Sequence, residues 1–272
     1  MRVVLVTGGS SGIGLATVRR LAGAGDRVFA ASRNPTRSPL PDGVTPLSLD
    51  VADHSAVGPA IARVIGDAGR LDVLVNNAGT GVLGSIEETS DDDAARTFEV
   101  NVLGPLRLAR AVLPTMRSQG GGRIINVTSL NDVLPAPFGG YYSASKAALA
   151  TASAVLDAEV RPFGISVTVV APGFFRTEMA AAAGSFSVAH DSPYRIPFGA
   201  LMAAAPARLE TAADPDIVAR AIADVIAADD APARVVVGED AEAMQRLVDD
   251  AKPEQLATLL RDFVRGLSTS GS

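Results

Sequence analysis

The sequence predicts an α/β fold in which a doubly wound parallel sheet is flanked by helices on both faces. Along the 272-residue chain, short and almost continuously apolar segments alternate with longer segments of helical period. Continuously apolar strands are typical of a parallel sheet that is buried on both faces. The β-α-β-α order favours right-handed crossovers between neighbouring parallel strands.

The apolar segments are the predicted strands, and the predicted helices lie between them. The strands are expected at 3–7, 27–32, 45–51, 71–79, 122–129, 165–173 and 233–238. The second helix is expected around Val57, Ile61, Val64 and Ile65, which fall on one face at helical spacing. The other main helices are expected after the first strand and at about 90–118, 141–161 and 214–228.

We expect a single domain over residues 1–272. Residues of about 174–206 lack a strong period and carry several aromatic side chains. This pattern predicts a flexible insertion that covers a substrate, with ordinary core packing as the alternative. A short helical C-terminal extension is expected at about 240–266, and the final STSGS is expected to fray.

The composition excludes several classes of function. Hydrophobic residues make up 47% of the chain and charged residues 20%, so a sizeable core can form. A net charge of −6 without a long basic run argues against nucleic acid or a membrane surface as a partner. The chain has no cysteine, and His54 and His190 are far apart, so no metal site is expected. The amino-terminal apolar run stops at glycines without a cleavage pattern, so a buried strand is expected there rather than a signal peptide. We expect a cytoplasmic location, which the absence of cysteine permits.

The stretch TGGSSGIG (7–14), between the first strand and its helix, predicts a phosphate-binding loop. Glycines let the backbone turn tightly and approach a pyrophosphate, and the helix N-terminus presents free N–H groups to it. Gly8, Gly12 and Gly14 follow the spacing T-G-x-x-x-G-x-G. A plain structural turn is the alternative, but the position after the first strand favours the phosphate loop.

The residues after the second and third strands bear on the choice of coenzyme. In dinucleotide folds an acid after the second strand holds the ribose of NAD, whereas an arginine accommodates the 2′-phosphate of NADP. Here Ser32 and Arg33 occupy this place, which favours NADP(H) over NAD(H); a solvated Arg33 is the alternative. Asp50, after the third strand, either accepts a hydrogen bond from adenine or caps the next helix.

Tyr142 and Lys146 are four residues apart, so they share one face of a helix. Tyr141 pairs instead with Ser145 and is rotated by about 100°, which makes it a packing residue or a substrate-side neighbour. An ammonium near a phenol lowers the tyrosine pKa, and such a tyrosine can exchange a proton with a carbonyl or alcohol oxygen. An ordinary surface pair is the alternative.

Other polar residues lie where predicted strands end, and Asn101 lies within an otherwise apolar predicted helix. Ser129 could hydrogen-bond a reacting oxygen or form a turn. Asn101 could bond backbone and leave a place for a water, or be exposed. In NNAG (76–79) the amides could tie strand ends together or form a turn. Thr177 could contact a nicotinamide amide or cap a helix. Ligands bind at the carboxyl ends of strands in open α/β sheets, where the following candidates all fall: Gly8, Ser32, Asp50, Asn76, Ser129 and Pro172.

With TGGSSGIG, NNAG, the Asn of NVLG, Ser129, YSASK and PGFFRT in this order, the chain resembles the short-chain dehydrogenase/reductase family. The resemblance is strong over residues 2–180. ASRNP and RVVVGEDAEA are similar to the 17β-hydroxysteroid-dehydrogenase-like branch. The resemblance implies a Rossmann-type fold, a homodimer or homotetramer, and a role for Tyr142 as the catalytic acid/base.

The resemblance also implies the roles of other residues. Lys146 lowers the tyrosine pKa and holds the nicotinamide ribose, Ser129 positions the substrate oxygen, and Asn101 holds a water. The implied coenzyme-binding residues are Gly8, Ser10, Ser11, Gly12, Ile13, Gly14, Ser32, Arg33, Asp50, Val51, Asn77, Ala78, Gly79, Tyr142, Lys146, Pro172, Gly173, Phe175 and Thr177. The family often has small residues after the serine, whereas this chain has Asn131 and Asp132, which reach the substrate mouth or form a turn.

The implied activity is that of an NADP(H)-dependent carbonyl reductase or alcohol dehydrogenase, which interconverts a ketone or aldehyde with an alcohol by hydride transfer. The aromatic residues of the insertion favour an apolar substrate. A non-catalytic NADP-sensing or interaction protein on the same fold is the alternative. A sugar-nucleotide epimerase is disfavoured by the glycine spacing.

Overall fold

The computed structural model describes residues 1–35, 37–183, 186 and 188–269, and these residues form a seven-stranded parallel sheet. The strands are β1 Val3–Thr7, β2 Arg27–Ser32, β3 Thr45–Ser48, β4 Val73–Asn76, β5 Gly122–Val127, β6 Ile165–Pro172 and β7 Arg234–Val237. Their order is β3-β2-β1-β4-β5-β6-β7, which confirms the predicted doubly wound sheet. The order reverses between β1 and β4, where open α/β sheets bind ligands.

Helices cover both faces of this sheet. They are α1 Gly12–Gly23, α2 His54–Ala68, α3 Asp91–Phe98, α4 Gly104–Ser118, α5 Gly140–Val160, α6 Glu178–Ala183, α7 Arg195–Glu210, α8 Asp216–Ala227, α9 Glu239–Asp250 and α10 Pro253–Thr269. Successive strand residues point to opposite faces, so Leu5 joins one core cluster with α2 and α4, while Val4 joins the other with α1 and α8.

Three strands end two or three residues earlier than predicted. β3 ends at Ser48 rather than at 51, β4 at Asn76 rather than at 79, and β5 at Val127 rather than at 129. The residues after these strands turn away from the sheet. The predicted site residues that follow them therefore lie in loops at the carboxyl edge of the sheet.

The helical stretch predicted at about 90–118 is interrupted by a π-helical segment, Glu99–Leu103. Asn101 lies in the middle of this segment. Gly104 follows it and approaches the turn after β3 closely, because a Cβ at this position would lie 2.7 Å from the Val51 carbonyl oxygen. Single π turns inside helices are frequent at functional sites.

The segment predicted to be a flexible insertion contains the helices α6 and α7, and α7 extends to Glu210. The α7 helix packs against both α6 and α10, and its Phe198 is 2% exposed. Because α7 packs against neighbours on more than one side, its apolar residues are not confined to one face. This explains why the sequence of the segment shows no clear helical period. Residues 184, 185 and 187 of the segment, and 270–272 of the predicted frayed end, lie outside the described residues.

The C-terminal extension is helical. The α9 and α10 helices cover most of the chain from Glu239 to Thr269, three residues beyond the predicted end. Within the described ranges, no helix combines the length and the apolar character needed to cross a bilayer.

Candidate active site

The loop between β1 and α1 has the backbone geometry of a phosphate cradle. Gly8 and Gly12 adopt positive φ angles of 66° and 49°. A Cβ on Gly14 would lie 2.1 Å from the Gly8 carbonyl oxygen, so only glycine fits there. Ser11 caps α1 without a side-chain hydrogen bond to its first turn. A helix start of this kind can donate backbone N–H groups to a pyrophosphate.

Ser32, at the end of β2, has a buried hydroxyl oxygen without a hydrogen-bond partner in the described part of the chain. Buried polar atoms in proteins are nearly always paired. The hydroxyl therefore fits a site whose missing partner is a bound group. Together with the glycine cradle, Ser32 shows that the residues present fit a dinucleotide coenzyme.

Asp50 lies in the turn after β3 and does not cap α2. The cap of α2 is Asp53, whose carboxylate accepts the N–H of Ser55. Asp50 accepts the N–H of Ala52 at 3.0 Å and pairs with Arg96 at 3.1 Å. Burial raises the pKa of Asp50, but the hydrogen bonds from Ala52 and Arg96 outweigh burial. The pKa of Asp50 is therefore below its ordinary value. The helix-cap alternative is therefore wrong, and the carboxylate stays ionised.

The NNAG stretch ties the ends of β1 and β4 together, as predicted. Asn77 donates from its side chain to the Thr7 carbonyl at 2.9 Å. In return, the Thr7 hydroxyl accepts the backbone N–H groups of Asn77 and Ala78, both at 3.0 Å. Asn76 donates to the Asn126 side chain of β5 at 2.8 Å. The turn alternative is insufficient, because these amides link neighbouring strands.

Three other predicted coenzyme-binding residues have side chains that serve the fold. The Thr177 hydroxyl accepts the N–H of Ala180, so it caps α6, as one of its two interpretations proposed. The Phe175 ring is buried in the core cluster beside α8, and Val51 is buried in the opposite cluster. For these two residues only the backbone can face a coenzyme, so their contact with it stays a prediction.

Asn101 is fully buried, so the exposed alternative is wrong. Its side-chain oxygen accepts the Thr80 N–H at 2.9 Å. Its amide group donates to the Thr80 carbonyl at 2.8 Å and to the Ser145 hydroxyl at 2.9 Å. Ser145 in turn donates to the Tyr142 carbonyl at 2.7 Å. This role of Ser145 was not predicted from the sequence, although its position between Tyr142 and Lys146 was a signal.

Lys146 and Tyr142 lie on the same side of α5, as their spacing predicts. Lys146 is 4% exposed, and its ammonium donates to the Val127 carbonyl at 3.0 Å. The ammonium lies 5.8 Å from the centre of the Tyr142 ring. Burial lowers the pKa of Lys146 to about 8, against an opposing effect of the Asp132 carboxylate.

The pKa of Tyr142 is raised in this structure. Burial of the half-buried phenol raises the pKa, the Ser129 hydroxyl lowers it, and the Asp132 charge raises it again. The predicted net lowering of this pKa is therefore wrong here, because burial outweighs the interactions that favour the phenolate. The phenol is protonated at neutral pH.

Ser129 begins a single 3-10 turn, Leu130–Asp132, and its hydroxyl oxygen accepts the Asn131 N–H at 3.2 Å. Asp132 does not reach a substrate mouth. Its side chain is fully buried and pairs with Arg234 of β7 at 2.7 Å. Arg234 was not predicted as a partner, because nothing in the local sequence pattern distinguishes it from a surface arginine. In the described part of the chain, no cluster of three or more acidic or histidine side chains could hold a metal.

The buried ammonium predicts a pH-dependent stability. The folded pKa of Lys146 is about 8, against an ordinary value of 10.5. Between these values the unfolded chain binds more protons, so stability rises with pH. We therefore expect Lys146→Met to stabilise the protein by about 1–3 kcal/mol at pH 7. The gain should shrink as the pH rises from 8 toward 10.5, as measured by denaturant unfolding.

The sequence offers a matched control. Lys252 is the only other lysine, and it is exposed. Lys252→Met should not change stability in this pH-dependent way. With two lysines, side-chain NMR of the ε-carbons can also follow the titration of Lys146 directly. A midpoint for Lys146 near its ordinary pKa would contradict the prediction.

Two solved structures resemble the chain over almost its whole length. A short-chain dehydrogenase from Streptomyces avermitilis is 35% identical, has a TM-score of 0.81, and is matched over 97% of both chains. A short-chain dehydrogenase from Burkholderia cenocepacia in complex with NADP is 26% identical and has a TM-score of 0.76. That match covers 96% of this chain and 99% of the other.

A similar relative among characterised proteins is the 3-ketodihydrosphingosine reductase of Bacteroides thetaiotaomicron. It is 39% identical over 176 residues, which are 65% of this chain and 65% of the relative. The match therefore spans just under two thirds of that protein. Residues 2–187 match the family model described as short chain dehydrogenase. Since this match covers more than half of the chain, and the sheet agrees with the solved structures, the protein belongs to the short-chain dehydrogenase/reductase family of oxidoreductases.

Proposed function

We propose that the protein is an NADP(H)-dependent oxidoreductase that interconverts a ketone or aldehyde with an alcohol, with Tyr142 as the acid/base. The observation that carries this proposal is the convergence of four polar residues at one edge of the sheet: Asn101, Ser129, Tyr142 and Lys146. A protein that only sensed a coenzyme would have no need of this set. The non-catalytic alternative therefore has no observation in its favour.

The hydroxyls of Ser129 and Tyr142 can both donate to a substrate oxygen. Ser129 accepts the Asn131 N–H, and its hydroxyl also hydrogen-bonds the Tyr142 phenol in this structure. A substrate oxygen bound between the two hydroxyls would accept the Ser129 proton in place of the phenol. The phenol, with its raised pKa, holds a proton that it can give to a carbonyl oxygen at neutral pH. The bound coenzyme would supply the hydride. In the reverse direction the same oxygen of Tyr142 would receive the proton of the alcohol.

Lys146 and Asn101 assist Tyr142 without contacting the substrate oxygen in this proposal. With a pKa of about 8, Lys146 carries a positive charge at neutral pH beside the tyrosine ring, and this charge would stabilise the phenolate as it forms. Asn101 is bonded to the Thr80 backbone and to Ser145, so it connects the π-helical segment to α5. We propose that Asn101 also holds the water that restores the proton.

The coenzyme proposed is NADP(H). The loop from Gly8 to Gly14 would hold the pyrophosphate, and Asp50 would face the adenine. The unpaired hydroxyl of Ser32 and the exposed Arg33 would contact the 2′-phosphate, where no carboxylate opposes it. The Burkholderia cenocepacia relative is in complex with NADP, but the proposed preference of this chain rests on Ser32 and Arg33.

The proposed substrate is apolar, and the segment from Phe174 through α7 would cover it. Phe138 contacts the rings of Tyr194 and Phe198 edge-on, at centroid distances of 6.2 and 5.5 Å. Tyr194 donates to Glu87 at 2.6 Å, which ties the start of α7 to the loop between β4 and α3. A keto compound is also the substrate in the name of the Bacteroides relative.

We also propose that the protein is a homodimer or homotetramer in the cytoplasm. We propose no nucleic acid or membrane partner. These proposals rest on the family resemblance and on the acidic charge of −6. Light scattering of the purified protein would decide the oligomeric state.

We expect Tyr142→Phe to reduce kcat about 100-fold or more, because the proton donor is lost. The dissociation constant for NADPH should change little. Turnover is measured by nicotinamide absorbance on a panel of carbonyls and alcohols, and NADPH binding by fluorescence. Tyr141→Phe is the matched control, since helical spacing places it about 100° around α5 from Tyr142, and it should retain turnover. Undiminished turnover in Tyr142→Phe would rule out the proposed role.

We expect Ser32→Asp to weaken NADPH binding by about 10- to 100-fold, because a carboxylate beside the 2′-phosphate is repelled by it. NADH lacks this phosphate, so its affinity should be unchanged or increased. Ser32→Ala separates charge from the loss of the hydroxyl. Tighter binding of NADH than of NADPH by the wild type would contradict the choice of coenzyme.

The proposed cover is tested at Phe138, which has a positive φ of 60°. Phe138→Ala and Phe138→Gly both remove the ring that contacts α7, so both should raise KM for apolar carbonyls by a similar factor. Glycine relieves the backbone strain that alanine keeps, so the glycine variant should be about 1 kcal/mol more stable. An unchanged KM in both variants would contradict the cover.

A further inference from the structure

A buried ion pair lies beside the turn that carries Ser129. Arg234 donates from Nη1 to Oδ2 of Asp132 at 2.9 Å and from Nη2 to Oδ1 at 2.7 Å. The Asp132 side chain is fully buried, and that of Arg234 is 29% exposed. Two parallel hydrogen bonds fix the direction of a carboxylate as well as neutralising it.

The ion pair controls the chain on both sides of Ser129. Thr128, directly before it, donates its hydroxyl to Oδ2 of Asp132 at 2.7 Å. Asp132, three residues after it, donates its backbone N–H to the Ser129 carbonyl at 3.0 Å. The Asn131 N–H also donates to the Ser129 hydroxyl oxygen. The direction of the Ser129 hydroxyl therefore depends on where Asp132 is held.

The residue that holds Asp132 comes from the C-terminal part of the chain. Arg234 begins β7, beside Val169 of β6, and it also contacts Gln245 of α9 at 3.4 Å. Neither Arg234 nor Gln245 lies in the 2–187 range that matches the family. The charge of Asp132 also acts on Tyr142 and Lys146, whose pKa values it raises.

We propose that Asp132 and Arg234 are positioning residues, which hold the Ser129 hydroxyl in the direction that the substrate oxygen requires. The proposal rests on the proposed function, because that function gives Ser129 its role. Neither residue touches the substrate. The C-terminal strand β7 and helix α9 thus support the catalytic turn through one guanidinium group.

The first experiment is Arg234→Met. We expect kcat to fall about 10- to 100-fold, because a small displacement of an aligned group has this effect on a reaction. KM and the NADPH dissociation constant should change less than about threefold, since an interaction of the transition state is lost.

Arg2→Met is the matched control. Arg2 holds the buried Asp26 through two hydrogen bonds of 3.0 and 2.9 Å, on the edge of the sheet away from Ser129. It should lower Tm to a similar extent and leave kcat unchanged. A wild-type kcat in Arg234→Met, or an equal loss of kcat in Arg2→Met, would overturn the proposal.

Two further variants separate positioning from stability. Asp132→Asn combined with Arg234→Met removes both charges, so no unpaired carboxylate stays buried. This double variant should recover Tm relative to Arg234→Met but not kcat. In a Ser129→Ala background, Arg234→Met should add less than about a threefold further loss, because its effect passes through Ser129. Full additivity of the two losses would overturn the proposal.

Hydrogen–deuterium exchange gives a readout that needs no substrate. Arg234→Met should accelerate exchange in a peptide that spans residues 128–134, whereas Arg2→Met should not. If the wild type converts no carbonyl or alcohol, the proposed function has failed. The exchange result still tests whether the Asp132–Arg234 ion pair holds the turn that carries Ser129. Unchanged exchange in Arg234→Met would overturn it.

Discussion

A lysine ammonium buried at the carboxyl edge of the sheet is the constraint on which the candidate site depends. Lys146 is almost fully enclosed, and its ammonium is held by the carbonyl of Val127, at the end of β5. A buried charge persists only where polar groups solvate it. The edge of a parallel sheet offers such groups, because its strands end there together. The two apolar clusters on the faces of the sheet supply the stability that this lysine removes.

Local rules were enough to predict the parts of the site that depend on one element. Tyr142 and Lys146 share a face because a helix repeats every 3.6 residues, and Ser129 reaches the edge because it follows a strand. The protonation of Tyr142 was not predictable in this way. Its pKa depends on how deeply the phenol is buried and on the distant charge of Asp132, and neither is visible in the sequence.

Contacts between distant elements were out of reach for the same reason. Asp132 follows β5 and Arg234 begins β7, 102 residues later. They come together because β5 and β7 are both neighbours of β6 in the sheet. Asp50 was placed correctly after β3, but its partner Arg96 comes from a helix 46 residues later. The fold class was predictable because alternation along the chain determines it, whereas the choice of partner at each position depends on the assembled sheet.

The two halves of the site are supported by different parts of the chain. The loop between β1 and α1 is held by the neighbouring strand, since the side chain of Asn77 and the hydroxyl of Thr7 join the ends of β4 and β1. The catalytic turn is held from the far edge of the sheet, through Arg234. Because different residues hold these two regions, the proposed function predicts that coenzyme affinity and the alignment of Ser129 respond to different substitutions. Under the proposed function, a substitution in β7 or α9 that moves Arg234 would therefore affect the chemical step more than coenzyme binding, because Arg234 contacts the Ser129 turn through Asp132 and not the phosphate loop.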